Sequence, residues 1–205
     1  MKLKHFIDSH KGVTAFYILG LMAFFGTWDN VTAWIYLALH GTYGFLWVCK
    51  SRIFPDKSWE RTVSVSTGLL IWLALSLYWI APFLITSRNS EAPPWLLGIC
   101  VSIYALGVFL HFTSDMQKYM QLKLQPQLIH DGLWRRIRNP NYLGELLIYL
   151  GFSILAVHWL PLVSLAGFIL ILWIPNMRRK DKSLSRYPGF EEYKKDSWGF
   201  IPFLY

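Results

Sequence analysis

Six apolar runs, the first five divided by polar or basic connections and the last two meeting at a proline, constrain this chain more than any other property of its sequence. They extend over Val13 to Trp28, Ala33 to Val48, Thr62 to Thr86, Trp95 to Phe112, Leu143 to Trp159 and Leu160 to Pro175. A helix needs about 20 residues to cross the hydrocarbon core of a bilayer. The third run has that length, the fourth approaches it, and the shorter ones suit a tight bundle in a thinned bilayer. Thr27, Trp28, Asp29 and Asn30 split the first two runs as a tight helical hairpin would. The last two runs meet at Trp159, Leu160 and Pro161, and proline at a first helical position opens a second hairpin. The basic start followed by an apolar run reads as a first helix and not as a signal peptide, because no small-residue cleavage site follows it.

The charges test this division. Lys2, Lys4 and Lys11 precede the first run; Lys50, Arg52, Lys57 and Arg61 lie between the second and third. Lys118, Lys123, Arg135, Arg136 and Arg138 lie between the fourth and fifth, and Arg178 through Lys195 follow the sixth. Six crossings from a cytoplasmic N-terminus put all four groups on one side and leave only Arg88, of 20 basic residues, on the other, as the positive-inside rule requires. Charged residues are 16% of the chain and hydrophobic ones 54%, against about 25% charged in ordinary globular proteins. That balance excludes a disordered chain. The net charge of +8 resides in connections between apolar runs, so its partners are lipid head groups or an anionic cofactor and not a nucleic acid. Cys49 and Cys100 are the only cysteines, too few for a disulfide scaffold. The expected fold is an all-α polytopic bundle of about six transmembrane helices, one membrane domain over residues 1–205. Both termini are expected in the cytoplasm, in a bacterial inner membrane or an endoplasmic reticulum. Oligomeric state leaves no mark on the sequence.

The connection from Thr113 to Tyr142 mixes charges, amides, aromatics and a glycine, unlike a plain solvated loop. Pro140 suits a first helical position, which puts Asn141 and Tyr142 at a helix mouth whose free N–H groups favour an anion. Glu145 then enters an apolar run. A carboxylate there costs a few kcal/mol on insertion scales, so it binds a donor group of a cofactor, pairs with Arg138 or another basic residue, or stays wet near the interface. After the last run, the basic tail is either an electrostatic anchor or one wall of a phosphate pocket. Its turn at Tyr187, Pro188 and Gly189 and its apolar end from Trp198 to Tyr205 favour a folded tail. No Gly-rich dinucleotide fingerprint, phosphate loop or tight metal-ligand spacing is present.

Gly132-Leu133-Trp134, then Arg138-Asn139-Pro140-Asn141-Tyr142-Leu143-Gly144-Glu145, resembles the strongest block of a superfamily of membrane enzymes. It contains the steroid 5-alpha-reductases, the sterol C14 and delta-7 reductases and the isoprenylcysteine carboxyl methyltransferases. The similar part runs from about His111 to Tyr205 and corresponds to the cofactor-binding half of those enzymes, with a pocket facing the cytoplasm. Glu145 directly after Asn-Tyr-x-Gly, and Ser114-Asp115-x-Gln117-Lys118, look like the reductase branch, as does the ending from Tyr193 through Ile201 to Tyr205. The resemblance implies NADPH as cofactor, with S-adenosylmethionine as the alternative of the methyltransferase branch. It implies a cofactor site lined by Asp115, Gln117, Lys118, Lys123, Trp134, Arg138, Asn141, Tyr142, Glu145, Arg178, Arg179, Asp181 and Tyr193. The chain departs from the reductases at Leu122, where they carry Arg, with Lys123 next. It departs again at Asn139, where His is usual, and at Asn176 and Met177, where the steroid reductases carry a histidine.

Reduction of a carbon–carbon double bond needs a hydride donor and a group that polarises or protonates the acceptor. Polar groups inside the apolar runs are the candidates: His40 and Tyr43, three apart on one helix face, or Tyr149. The expected function is NADPH-dependent reduction of a lipophilic enone, sterol-like or isoprenoid substrate within the membrane. A membrane methyltransferase acting on an isoprenoid, thiol or lipid head group is the second reading, and a lipid-binding protein without activity the third.

Overall fold

The computed structural model of the chain describes residues 1–203. Leu204 and Tyr205, which close the reductase-like ending, lie outside the described residues. Among those described there is no strand, only two isolated bridges, Lys2 with Thr62 and Ile137 with Trp198.

Helix α1 spans Leu3–Phe25 and ends at Gly26, whose left-handed backbone (φ 66°) lets its N–H cap Met22. Helix α2 (Val31–Tyr36) starts where the Asn30 side chain accepts from the Ala33 amide at 2.8 Å. It passes through a π-turn over Leu37–Gly41 into α3 (Thr42–Ile53). Ser64 caps α4 (Val65–Leu75), which continues through a 3-10 turn over Ser76–Trp79 into α5 (Ile80–Ser87). Helices α6 (Pro94–Leu124) and α7 (Pro140–Leu155) both begin on proline, whose missing N–H costs nothing at that position. Helix α8 (Trp159–Phe168) runs through a second π-turn, Ile169–Trp173, into α9 (Ile174–Leu184), and α10 (Phe190–Lys195) follows.

Several helices outrun the expected apolar runs, α9 by continuing past Pro175 to Leu184, and two of these differences bear on the site. Helix α1 starts ten residues before its apolar run because Leu3, Ile7, His10, Lys11, Thr14, Ile18 and Met22 make one buried stripe at spacings of three to four, the period of a helix face. Helix α6 continues past Phe112 to Leu124, so the segment carrying Asp115, Gln117, Lys118 and Lys123 is helical where a connecting loop was expected. Met, Gln, Leu and Lys are strong helix formers, and Met116 through Leu124 is built almost entirely of them.

The chain is a membrane protein. Among the described residues, three helical stretches are long and apolar enough to cross a bilayer: Val65–Ser87, Pro94–Leu124 and Trp159–Leu184. Large apolar side chains face outward, Phe24 at 81% exposure, Ile171 at 73% and Leu70 at 68%, a surface that suits acyl chains and not water. Of the remaining expected crossings, α1 carries Lys4, Asp8 and Lys11, and α7 has only 16 residues.

Two compact units make up the chain, one of residues 1–104 and 149–165, the other of 105–148 and 166–205. In the first, α1 packs on α3, α4 and α5. Gly44 permits the α1–α3 contact, since a Cβ there would lie 2.2 Å from the Lys11 carbonyl oxygen. The N-terminus is tied down by Lys2 and Lys4, which reach Glu60 at 2.7 and 2.5 Å and by those hydrogen bonds hold its carboxyl down at about 2. In the second unit, α6 and α7 touch backbone to backbone. A Cβ on Gly144 would stand 2.4 Å from the His111 nitrogen and 2.7 Å from the Gly107 oxygen. Leu128, Phe190 and Tyr193 form a small core under Leu184 and Tyr187, so the basic tail is folded.

Candidate functional site

The second unit carries the block that resembles the reductases and most of the expected cofactor residues. His111 and Asp115 sit one turn apart on α6, both buried, with His111 Nε2 4.0 Å from Asp115 Oδ2. The Lys118 ammonium lies 3.9 Å from Asp115 Oδ1. His111 Nδ1 also bonds the Asn141 carbonyl at 3.1 Å, which seats the first turn of α7 against α6. Asn141, Tyr142 and Glu145 are half-buried on α7, with Glu145 one turn after Asn141. The Tyr142 ring is 5.6 Å from that of Trp173. Asn141 Oδ1 and Asp181 Oδ1 are buried and accept no hydrogen bond among the described residues. Lys123 is exposed over the Tyr119 ring. Arg178 and Arg179 are also exposed, Arg179 donating to Asn176 Oδ1 at 2.5 Å.

Other expected residues are engaged with the protein itself. Gln117 braces the turn before Trp134: its amide donates to the Asp131 carbonyl at 3.1 Å and accepts from the Leu133 amide at 3.2 Å. Gly132 occupies that turn with φ 54°, and a Cβ there would strike the Gln117 amide. Trp134 is buried, its indole donating to the Ser114 carbonyl at 3.3 Å. Arg138 is buried and donates to Asp181 Oδ2 at 3.2 Å, to the Lys194 carbonyl at 3.2 Å and to the Ser197 carbonyl at 2.6 Å. The Tyr193 hydroxyl donates to the Trp134 carbonyl, and burial raises its phenol above the ordinary range. Arg138, Asp181 and Tyr193 thus hold the tail against the loop.

Two residues outside the expected set complete this arrangement. Lys180 donates to the Arg138 carbonyl at 2.5 Å and to Asn139 Oδ1 at 2.8 Å, with its ammonium 4.4 Å from the Trp134 ring centroid. Asn139 donates in turn to the Gly199 carbonyl at 2.6 Å. Lys180 was hidden in a run of three cations, and the only signal for Asn139 was its standing where histidine is usual. Nearby, a cavity of about 620 Å³ is bordered by His130, Arg135, Arg136, Tyr187 and Glu192, within the size range of ligand sites. The free amide oxygen of Asn141 and carboxylate oxygen of Asp181, neither of which borders that cavity, suit a ligand that carries N–H or O–H donors.

The first unit holds the candidate acid groups. Tyr43 and His40 are both completely buried. His40 Nδ1 is 2.9 Å from the Tyr36 hydroxyl, and the imidazole stacks on Phe152 at 4.2 Å. Tyr149 is buried against Tyr43, Tyr78 and Phe152, with the Tyr78 ring parallel at 4.0 Å. Sequence reasoning missed Lys11, taken as a flanking charge. It is 2% exposed, and its ammonium donates to the Tyr149 hydroxyl.

A protein-family model described as a protein of unknown function (DUF1295) matches residues 56–197. The chain is 27% identical over 158 residues to a delta(14)-sterol reductase of Mus musculus, covering 67% of this chain and 38% of that protein. It is 25% identical over 190 residues to a steroid 5-alpha-reductase of Solanum lycopersicum, covering 86% and 72%. An uncharacterised protein of Schizosaccharomyces pombe is 32% identical over 120 residues, 58% of this chain and 41% of that one. The chain therefore spans about two fifths of the length of the mouse and fission-yeast relatives.

Proposed function

The chain belongs to the DUF1295 family and is homologous to steroid 5-alpha-reductases and delta(14)-sterol reductases, and from that premise we propose that it reduces a carbon–carbon double bond in a lipophilic sterol-, steroid- or isoprenoid-like substrate at the expense of NADPH. The observation that carries this reading is the pair of buried, unsatisfied acceptors, Asn141 Oδ1 and Asp181 Oδ1, in the unit that bears the reductase-like block. Buried acceptors left without donors are costly, and a nicotinamide amide and ribose hydroxyls supply such donors. NADPH supplies hydride when bound.

The roles of the chain's own residues follow from their chemistry. Asn141 and Asp181 accept from the ligand's donors, with Glu145 one turn behind Asn141. Lys118, Arg178 and Arg179 meet phosphate charge. Asp115 holds Lys118 in place, and Tyr142 offers a ring. Gln117, Trp134, Arg138 and Tyr193 keep the loop and tail in the shape that presents these groups. Tyr43 and His40, enclosed by aromatic rings, take the electrophilic role that the acceptor requires. We also place the basic connections and both termini on the cytoplasmic side of six crossings.

The test is NADPH affinity of the purified chain in detergent. Asn141→Ala and Glu145→Gln each weaken binding about tenfold, the loss of one or two hydrogen bonds to a bound ligand, and leave the thermal unfolding midpoint of the free protein unchanged. Wild-type affinity in both variants contradicts the proposed pocket.

A further inference from the structure

The cavity of about 620 Å³ in the second unit is not bordered by Asn141, Tyr142, Glu145 or Asp181. It opens between the loop that follows α6, which brings His130, Arg135 and Arg136, and the tail that follows α9, which brings Tyr187, Glu192 and Asp196. The protein itself holds the two walls in register. The Tyr193 hydroxyl donates to the Trp134 carbonyl, the Trp198 amide donates to the Arg136 carbonyl at 2.9 Å, and Ile137 bridges to Trp198. The opening is thus formed before any ligand arrives, as ligand sites usually are.

Its charges are balanced and kept apart. Arg135 and Arg136 belong to one wall; Glu192 and Asp196, one turn apart at the end of α10 and so on one face, belong to the other. Among the described residues no ion pair joins the walls. Arg136 reaches only the Asp196 carbonyl oxygen, at 3.4 Å, and neither Arg135 nor the two carboxylates meet an opposite charge within 4.0 Å. A lining that is neutral in sum, with opposite charges on opposite walls, complements a ligand that carries both signs. A plain anion would meet the two carboxylates, and a plain cation the two arginines.

The place of the cavity in the chain narrows the ligand further. The loop wall begins at Gln127, three residues after α6 ends at Leu124, and the tail wall at Tyr187, three residues after α9 ends at Leu184. Both helices close stretches long and apolar enough to cross a bilayer. Helix α6 has 31 residues and is therefore about 46 Å long, close to the roughly 40–45 Å of a bilayer with its head groups. Trp95, exposed at its start, marks one interface, so its other end emerges at the level of the opposite head groups.

We propose that this cavity binds a zwitterionic phosphoethanolamine group, its phosphodiester on Arg135 and Arg136 and its ammonium on Glu192 and Asp196. The interface supplies that group as the head of phosphatidylethanolamine, and free glycerophosphoethanolamine offers the same chemistry in water. Both ends make charge-assisted hydrogen bonds. The guanidinium fork matches phosphate oxygens in pairs, and a primary ammonium brings three N–H donors to the carboxylates. A choline head group has no N–H to donate, and a glycerol head group has no cation.

The experiment places the full chain in nanodiscs of phosphatidylcholine, phosphatidylethanolamine and phosphatidylglycerol in equal parts and counts the lipids it retains by native mass spectrometry. The expected result is retention of phosphatidylethanolamine about tenfold over either other lipid, the worth of one charge-assisted hydrogen bond. Arg135→Gln lowers that retention about tenfold. Glu192→Gln leaves the lining positive and turns the preference to phosphatidylglycerol. Both side chains are exposed, so both variants keep the wild-type unfolding midpoint. Calorimetry with glycerophosphoethanolamine separates the two sources. Binding as tight as that of the lipid assigns the site to the free compound, weaker binding assigns it to the lipid, and either upholds the recognition. Preference for phosphatidylglycerol in the wild-type chain overturns it and leaves an electrostatic anchor. Equal retention of the three lipids, or retention unchanged by both variants, also overturns it. Displacement of bound phosphatidylethanolamine by NADPH overturns it by giving the cavity to the cofactor.

Discussion

At the scale of single residues, Arg138 shows how a motif position acquires its role from partners far along the chain. Its guanidinium gathers Asp181 and the carbonyls of Lys194 and Ser197, residues 43 to 59 positions away. The planar fork of arginine suits such divergent acceptors, and lysine lacks it. Arg138→Ala is expected to lower stability by about 3 kcal/mol by leaving a partly buried carboxylate and two carbonyls without their donor. Arg138→Lys should recover little of that. Chemical or thermal unfolding in detergent measures both, and a wild-type midpoint for Arg138→Ala would show that the tail is held by other contacts. The sequence made Arg138 visible as part of the block before Pro140, but its partners were not, because nothing local connects it to Asp181 or Ser197. Lys11 was hidden for the opposite reason. A lysine at the head of an apolar run looks like an anchoring charge until the helix is seen to begin at Leu3. The spacing of Leu3, Ile7, Lys11, Thr14 and Ile18 already carried that information.

At the scale of helices, composition located the apolar interiors well and the ends poorly. Pro140 opens α7 as its residue type foretold, and the hairpin at Thr27 to Asn30 is present between α1 and α2. The extension of α6 through Leu124 was missed because its residues are polar and amphipathic, with no apolar signal to mark them as part of the same helix. Where helices touch, glycine decides how closely. A Cβ on Gly144 would stand 2.4 Å from the His111 nitrogen, whereas one on Gly20 meets nothing within 4 Å. Gly144→Ala is therefore expected to cost about 1–3 kcal/mol through forced separation of α6 and α7. Gly20→Ala should be neutral or slightly stabilising, since alanine is the better helix former. Paired unfolding curves check this, and equal midpoints for the two variants would contradict the packing described. The same separation would displace His111 from the Asn141 carbonyl, so Gly144→Ala should weaken cofactor binding as well.

At the scale of the whole molecule, a chain with 16% charged residues and an outward-facing apolar surface belongs in a bilayer. One compact unit joins the reductase-like block to a folded basic tail. The other encloses Lys11, His10, His40, Tyr43 and Tyr149 in aromatic rings. Family membership and the reductase relatives give the proposed function its direction, and the two unsatisfied acceptors, Asn141 and Asp181, suit the donors of the proposed cofactor. The most direct test of that claim is to titrate the purified, detergent-solubilised chain with NADPH and, in parallel, with S-adenosylmethionine, reading thermal stabilisation and confirming it by calorimetry. The account predicts a rise in the unfolding midpoint with NADPH that saturates, and none with S-adenosylmethionine. Stabilisation by S-adenosylmethionine alone would contradict it and make the chain a methyltransferase.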